Sequence, residues 1–108
     1  MKKLTLNEQI FLIAIWHLKD NAYGVTIREK IAELTGAAPM FGTLYNTLDY
    51  LVQKEYVVTA KGEPTAQRGG HNKVFYRLTE DGRTALQKAR ELQDALWRGI
   101  PHPAFKAK

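Results

Sequence analysis

One stretch decides the fold: Met40-Phe41-Gly42-Thr43-Leu44-Tyr45-Asn46-Thr47-Leu48-Asp49-Tyr50-Leu51. Apolar residues recur in it at spacings of three and four, which predicts a helix with one buried face. That face is predicted to hold Phe41, Leu44, Leu48 and Leu51. The opposite face carries Thr43, Asn46, Thr47 and Tyr50. A helix that buries one side and offers hydroxyl and amide groups on the other is suited to contact a polar partner.

A strand, a basic loop and a second strand follow this helix. Apolar runs predict the strands over Tyr56–Ala60 and Val74–Leu78, and the loop is too long for a two-residue hairpin turn. The loop contains the segment Arg68-Gly69-Gly70-His71-Asn72-Lys73, which brings cations beside the helix. Together, the helix and this extended wing predict a winged helix-turn-helix that binds duplex DNA.

Two further helices are predicted before the central one. Thr5-Leu6-Asn7-Glu8 has the form of a capping box and opens a helix to about Leu18. Its middle is apolar on all sides, so we expect one side to pack against its own domain and the other side to pack against another subunit. Thr26-Ile27-Arg28-Glu29 repeats the capping form, and Gly36 supplies the stop. The apolar face of this second helix is predicted to contain Ile27, Ile31 and Leu34.

A last helix is predicted to begin after Thr79, a plausible cap, with two acids in its first turn. Its apolar positions repeat at four, three and four residues, which suits a short helix pairing: Ala85, Ala89, Leu92 and Leu96. The predicted fold class is therefore α+β, mostly α. Residues 1–78 form the winged helix-turn-helix, residues 79–100 form a dimerisation helix of the same compact domain, and residues 101–108 form a flexible tail.

Charge is concentrated on the predicted hairpin. The chain has 108 residues, which suggests one domain, and its net charge is +5. Residues 53–77 carry five cations against two anions, whereas residues 1–52 carry five of each. This excess is where a reader of the DNA backbone places it. The alternative is that lysines merely keep a sheet edge soluble.

Other chemistry has little support in the sequence. The chain has no cysteine and no serine, and the histidines at positions 17, 71 and 102 lack the spacing of metal ligands. We therefore expect no enzymatic activity, no metal and no cofactor. The apolar run Ile10–Trp16 is too short to span a bilayer and lacks a cleavage site, so we expect a cytoplasmic protein without membrane contact.

Four sequence elements in this order resemble the PadR family of transcriptional regulators. They are Tyr23-Gly24, Gly42-Thr43-Leu44-Tyr45, Arg68-Gly69-Gly70 and Tyr76-Arg77-Leu78-Thr79-Glu80-Asp81-Gly82. The resemblance implies a bacterial or archaeal homodimeric repressor of the short branch with a single C-terminal helix. It also implies that this helix packs near the first helix of the partner. Unlike many family members, the chain has few cations directly after its glycine pair.

Candidate site residues follow from the helix pattern, the wing and the resemblance. The predicted DNA-binding residues are Thr43, Tyr45, Asn46, Thr47, Tyr50, Lys61, Arg68, Gly69, Gly70, His71 and Lys73. The predicted dimer interface contains Ile10, Ala14, Ala85, Ala89, Leu92, Leu96 and Trp97. Trp16 and Trp97 are either part of the interface core or a stacking surface for a small aromatic effector between subunits.

The functional hypothesis is a sequence-specific regulator of transcription that binds double-stranded DNA. Two copies of the chain would meet a near-palindromic operator and act as a repressor until an unknown signal releases them. The alternative is a winged-helix protein-interaction module that does not bind DNA, because a fold does not determine a function. The small number of cations on the central helix supports this alternative.

Overall fold

Four helices and one antiparallel hairpin make up the part of the chain that the computed structural model describes, residues 3–62 and 73–101. The elements occur in the order that the sequence predicts. They are α1 (Leu6–Leu18), a 3-10 turn (Lys19–Asn21), α2 (Gly24–Thr35), α3 (Phe41–Gln53), β1 (Val57–Lys61), β2 (Val74–Leu78) and α4 (Glu80–Trp97). Of the predicted tail, residues 102–108 lie outside the described ranges.

The capping box predicted at the start of α1 is confirmed. Thr5 Oγ1 accepts a hydrogen bond from the Glu8 N–H at 3.1 Å, and Glu8 Oε1 accepts one from the Thr5 N–H at 2.9 Å. This apolar helix is not covered on all sides within one chain, because Ile13 is 37% exposed and Trp16 is 52% exposed.

The predicted start of α2 is wrong by three residues. The helix begins at Gly24, and Thr26 is its third residue rather than its cap. Thr26 Oγ1 accepts a hydrogen bond from the Tyr23 N–H at 2.9 Å, so the threonine still satisfies a backbone donor at this helix end. Gly36 ends the helix with φ of 87°, as predicted. Leu34, predicted on the buried face, is 45% exposed.

The buried face of α3 is predicted correctly for its three leucines. Leu44, Leu48 and Leu51 have no exposed surface. The prediction that Phe41 joins them is wrong, because the phenylalanine is 55% exposed. Its ring packs instead beneath the guanidinium of Arg28, whose Cζ lies 4.5 Å from the ring centroid. Phe41, the first residue of α3, therefore lies outside the core.

A Schellman motif ends α3. The Tyr56 N–H donates to the Leu51 carbonyl at 3.0 Å, and the Glu55 N–H donates to the Val52 carbonyl at 2.9 Å. The position of the motif that usually holds glycine is occupied by Glu55, with φ of 63°. A side chain in this left-handed conformation costs free energy because its Cβ crowds the following carbonyl oxygen.

Replacing Glu55 by glycine is expected to raise the free energy of unfolding by about 0.5–1 kcal/mol, because glycine adopts positive φ without this crowding. Urea denaturation measures the change. Glu55→Gln is the control, since it removes the charge and keeps the Cβ. An equal gain from both variants would assign the effect to the charge and contradict the backbone explanation.

The hairpin pairs β1 with β2 in antiparallel register. Val57 lies opposite Leu78 at one end, and Lys61 lies opposite Val74 at the other. β1 begins and ends one residue later than predicted. Residues 63–72, which hold most of the predicted wing loop, lie outside the described ranges.

A single hydrophobic core joins the helices to the base of the hairpin, and α4 leaves it halfway along. The predicted cap of α4 is confirmed, since Thr79 Oγ1 accepts a hydrogen bond from the Gly82 N–H at 2.9 Å. From Arg90 to Trp97 every residue of α4 is exposed. The largest fully buried side chains are Phe11, Leu12, Ile15, Ile27, Leu44, Leu48, Leu51 and Val57.

Candidate nucleic-acid interface

The outward face of α3 presents polar side chains to solvent. Thr43 and Asn46 are exposed in the first half of the helix, and Tyr50 is exposed in the second half. Lys54 Nζ lies 5.6 Å from the centroid of the Tyr50 ring, which brings a cation to this end of the face. The helix therefore combines a buried leucine face with an open face of hydroxyl and amide groups, as the sequence predicts.

Thr47 is less available than its neighbours on this face. It is half-buried, and its Oγ1 accepts a hydrogen bond from Asn7 Nδ2 at 3.5 Å. That distance is at the outer limit of a hydrogen bond, so the contact is weak. It nevertheless places the start of α1 beside α3, next to the predicted DNA-binding residues.

Tyr45 serves the packing of the fold and remains partly open. Its side chain is 44% exposed, and its phenol ring lies directly against the Cα of Gly24, where a Cβ would overlap the hydroxyl oxygen. Burial raises the pKa of Tyr76, and the nearby Asp49 and Tyr45 add to this effect. The absence of a side chain at Gly24 thus allows the ring of Tyr45, a predicted DNA-binding residue, to pack against the start of α2.

The base of the wing is fixed to the start of α2. Tyr23 forms an isolated antiparallel bridge with Phe75, and their rings meet edge to face with centroids 5.5 Å apart. Lys73 Nζ lies 4.3 Å from the centroid of the Tyr23 ring. The Gly62 N–H donates to the Lys73 carbonyl at 2.7 Å, which joins the two strands where the loop begins. Lys61 is exposed beside this point.

Four predicted site residues lie outside the described residues: Arg68, Gly69, Gly70 and His71. Their roles remain predictions. Of the predicted wing cations, Lys61 and Lys73 are described, and they lie at the ends of the two strands that lead into the loop.

Arg28 is a candidate that the sequence does not reveal. It is a half-buried residue of α2, and its Nε donates a hydrogen bond to the Pro39 carbonyl at 2.7 Å. Its guanidinium covers the exposed ring of Phe41, as described above. No local pattern signals these contacts, because they join residues that lie 11 and 13 positions apart.

The predicted dimer surface loses two residues to the core. Ala14 has no exposed surface and Ala85 only 4%, so both are packed within their own chain and are not available to a partner. The remaining residues are accessible. Ile10 and Ala89 are half-buried, and Leu92, Leu96 and Trp97 are 40%, 62% and 54% exposed.

Trp16 borders a groove between α1 and α4. The groove has a volume of about 620 Å³ and includes Ile13, Trp16 and Leu86 among its lining residues. Lys19 Nζ lies 4.3 Å from the centroid of the Trp16 ring. Trp97 lies on the exposed half of α4 and does not line this groove, so one chain does not bring the two tryptophans together at it.

Among the described residues, no group of three or more His, Cys, Asp or Glu side chains is placed to hold a metal ion. Within the same ranges, no helix combines the length and apolar character that crossing a bilayer requires.

These features define the chain as a winged helix-turn-helix: α2 and α3 flank the turn, and the β1–β2 hairpin forms the base of the wing. The family model "Transcriptional regulator PadR-like family" matches residues 14–88. The chain therefore belongs to the PadR-like family of transcriptional regulators, as the motifs predicted. A comparison with curated proteins finds no significant match.

Solved structures share the fold over most of the chain. A PadR-like transcription factor from Bacteroides fragilis superimposes with a TM-score of 0.74 and 23% identity, covering 90% of this chain and 88% of that one. A PadR-like transcriptional regulator from Bacillus cereus superimposes with a TM-score of 0.74 and 14% identity, covering 94% of both chains. RosR from H. salinarum superimposes with a TM-score of 0.69 and 25% identity, covering 94% of this chain and 84% of that one. These similarities confirm the predicted α+β, mostly helical winged fold.

Proposed function

We propose that this regulator binds double-stranded DNA in a sequence-specific manner, with α3 in the major groove and the wing on the flanking backbone. The observation that carries the proposal is the outward face of α3, where Thr43 and Asn46 are exposed near the start of the helix. In helix-turn-helix proteins this part of the recognition helix reads base edges. Asparagine can bind adenine through two hydrogen bonds, and threonine can contact the thymine methyl group.

Affinity is assigned mainly to cations around α3, because the helix itself carries Asp49 and no cation between Phe41 and Gln53. Lys61 and Lys73 approach phosphates from the base of the wing, and Arg68 does so from its loop. His71 joins them when protonated, and Gly69 with Gly70 permits close approach of the wing. Cations bind DNA by releasing counterions, so the proposed affinity falls steeply with salt.

The working unit is proposed to be a homodimeric repressor in the cytoplasm. Support comes from the exposed apolar side chains on the second half of α4 and from the open groove beside α1. A symmetric dimer places two copies of α3 on a near-palindromic operator, with half-sites about one helical turn apart. Trp16 and Trp97 are proposed to meet between subunits, where a flat aromatic effector would release the DNA.

Selection from a random 30-base-pair duplex pool tests the proposal. We expect enrichment of a near-palindromic sequence, and we expect log affinity for the selected duplex to fall linearly with log salt. Light scattering measured with size exclusion gives the mass of the free chain and of its complex. Absence of enrichment, together with elution from a DNA column at low salt, would contradict DNA binding.

Replacing Asn46 by alanine is expected to remove the preference at one base pair of each half-site. The loss at the preferred base is about 1–3 kcal/mol, the value of a bidentate contact to a base. Selection from the random pool is repeated with the variant, and the change is measured as the loss of base preference at one position of the enriched sequence. Gln53→Ala is the control, since it removes an amide from the other end of α3. If Asn46→Ala and the wild type enrich the same sequence, Asn46 does not take part in base recognition.

A protein partner is the second candidate, and one observation favours it. Met40 is 77% exposed and Phe41 is 55% exposed, so large apolar side chains stand at the start of the recognition helix. Such residues are typical of protein interfaces. Retention on a heparin column separates the two candidates, because only a reader of the DNA backbone needs high salt for elution.

A further inference from the structure

Arg28 is held by two contacts beside the turn that joins α2 to α3. Its Nε donates to the Pro39 carbonyl at 2.7 Å, and its Cζ lies 4.5 Å from the centroid of the Phe41 ring. One contact fixes the position of the guanidinium and the other fixes its plane. A long, flexible side chain normally loses conformational entropy when it binds a ligand. For Arg28 much of that loss has already occurred in the free protein.

The guanidinium keeps most of its donors free for a ligand. Arginine has five N–H donors, and the bond to Pro39 uses only the one on Nε. Within residues 3–62 and 73–101, neither terminal amino group of Arg28 has a hydrogen-bond acceptor. No carboxylate in those ranges lies within ion-pair distance of Arg28. The charge is therefore held in position without a counterion among the described residues.

The start of α3, which lies against Arg28, also lacks negative charge. Met40, the cap of α3, supplies no side-chain hydrogen bond, and the first turn of α3 contains no acidic residue. A positive helix end beside a fixed cation is unfavourable unless an anion lies close to both. The neighbouring cation on α2 differs, because Lys30 Nζ is already paired with Glu33 Oε1 at 2.6 Å.

We propose that Arg28 binds a DNA phosphate through its terminal amino groups, while Pro39 and Phe41 hold the guanidinium in place. The proposal rests on the DNA binding proposed above and adds a phosphate contact on α2, outside the recognition helix and the wing. A guanidinium suits this role because it can bind two phosphate oxygens at once and stack on an aromatic ring at the same time.

Two substitutions separate the charge of Arg28 from its packing. Arg28→Met keeps an unbranched side chain over Phe41 and removes the charge. Arg28→Lys keeps the charge and removes the hydrogen bond from Nε to Pro39. The probe is the 30-base-pair duplex that the wild-type chain enriches from the random pool. Fluorescence anisotropy gives its affinity at several salt concentrations, and circular dichroism checks that each variant is folded.

For Arg28→Met we expect affinity at about 100 mM salt to fall by about tenfold, the range of a hydrogen bond to a charged group. We also expect the slope of log affinity against log salt to become shallower by about 0.9 for each bound copy. Arg28→Lys is expected to keep the wild-type slope and to lose less affinity than Arg28→Met. The slope is decisive, because a purely structural role would leave the number of released counterions unchanged.

Lys30→Met is the matched control, since it removes one cation from the same helix that Glu33 already neutralises. We expect the wild-type slope for this variant. A wild-type slope for Arg28→Met would overturn the phosphate contact, whatever its affinity, and so would equal slope losses for Arg28→Met and Lys30→Met. Failure of the wild-type chain to bind any duplex would instead overturn the proposed function itself, so the two failures are distinguishable.

Discussion

Replacing Leu92 and Leu96 together by glutamate is expected to convert the proposed dimer into a monomer. Both leucines lie on the exposed half of α4, and four residues separate them, so they share one helix face. Burying two carboxylates against a partner costs several kcal/mol, which exceeds what a short apolar contact supplies. Size exclusion with light scattering measures the mass directly.

The same variant is expected to lose DNA affinity by on the order of 10²–10⁴-fold on a duplex with two half-sites. In the proposed dimer the second half-site is bound from within one complex, and a monomer loses that gain. Affinity for a duplex with a single half-site should change little. Fluorescence anisotropy on both duplexes separates the loss of dimerisation from damage to α3.

A charge-matched variant controls for the two added acids. Thr84→Glu with Arg98→Gln lowers the net charge by the same amount, and both residues are exposed and lie outside the lining of the groove beside α1. This control is expected to stay dimeric. A double-glutamate variant that remains dimeric would show that the exposed half of α4 is not the interface.

Local sequence signals predicted a helix start correctly where the segment offered a single candidate cap and a single partner for it. Thr5 with Glu8, and Thr79 before an acidic first turn, gave the starts of α1 and α4 correctly. Thr26 shows the limit of such signals. A threonine can accept a backbone N–H either as the cap or as the third residue of a helix. Here it takes the second role, beside the antiparallel bridge that Tyr23 forms with Phe75.

Contacts between segments that are distant in the sequence could not be predicted from helical periodicity. The helical period correctly separates Leu44, Leu48 and Leu51 from the polar face of α3. It assigns Phe41 to the core because periodicity does not show where the core ends. The burial of Ala14 and Ala85 within one chain likewise depends on how α1 and α4 cross.

Replacing Gly82 by alanine is expected to destabilise the fold, although alanine is the better helix former by about 1 kcal/mol. A Cβ at this position of α4 would overlap the carbonyl oxygen of Tyr56. That carbonyl cannot move freely, because it accepts a hydrogen bond from the Thr79 N–H at 3.0 Å. Thr79 Oγ1 also donates to the adjacent Glu55 carbonyl at 2.6 Å. We expect a net loss of about 1–3 kcal/mol, the usual cost of overpacking.

Gly42→Ala is the matched control, because Gly42 also lies in the first turn of a helix. Apart from its own helix and chain neighbours, no described atom lies within 4 Å of a Cβ added there. Alanine at position 42 is therefore expected to stabilise the chain by up to about 1 kcal/mol. For Gly82→Ala the melting temperature should instead fall by on the order of 10 °C. Helix propensity alone predicts a gain in both variants. The opposite signs therefore test whether the backbone of Tyr56, just before β1, lies in contact with Gly82 of α4, and a gain in both variants would contradict that packing.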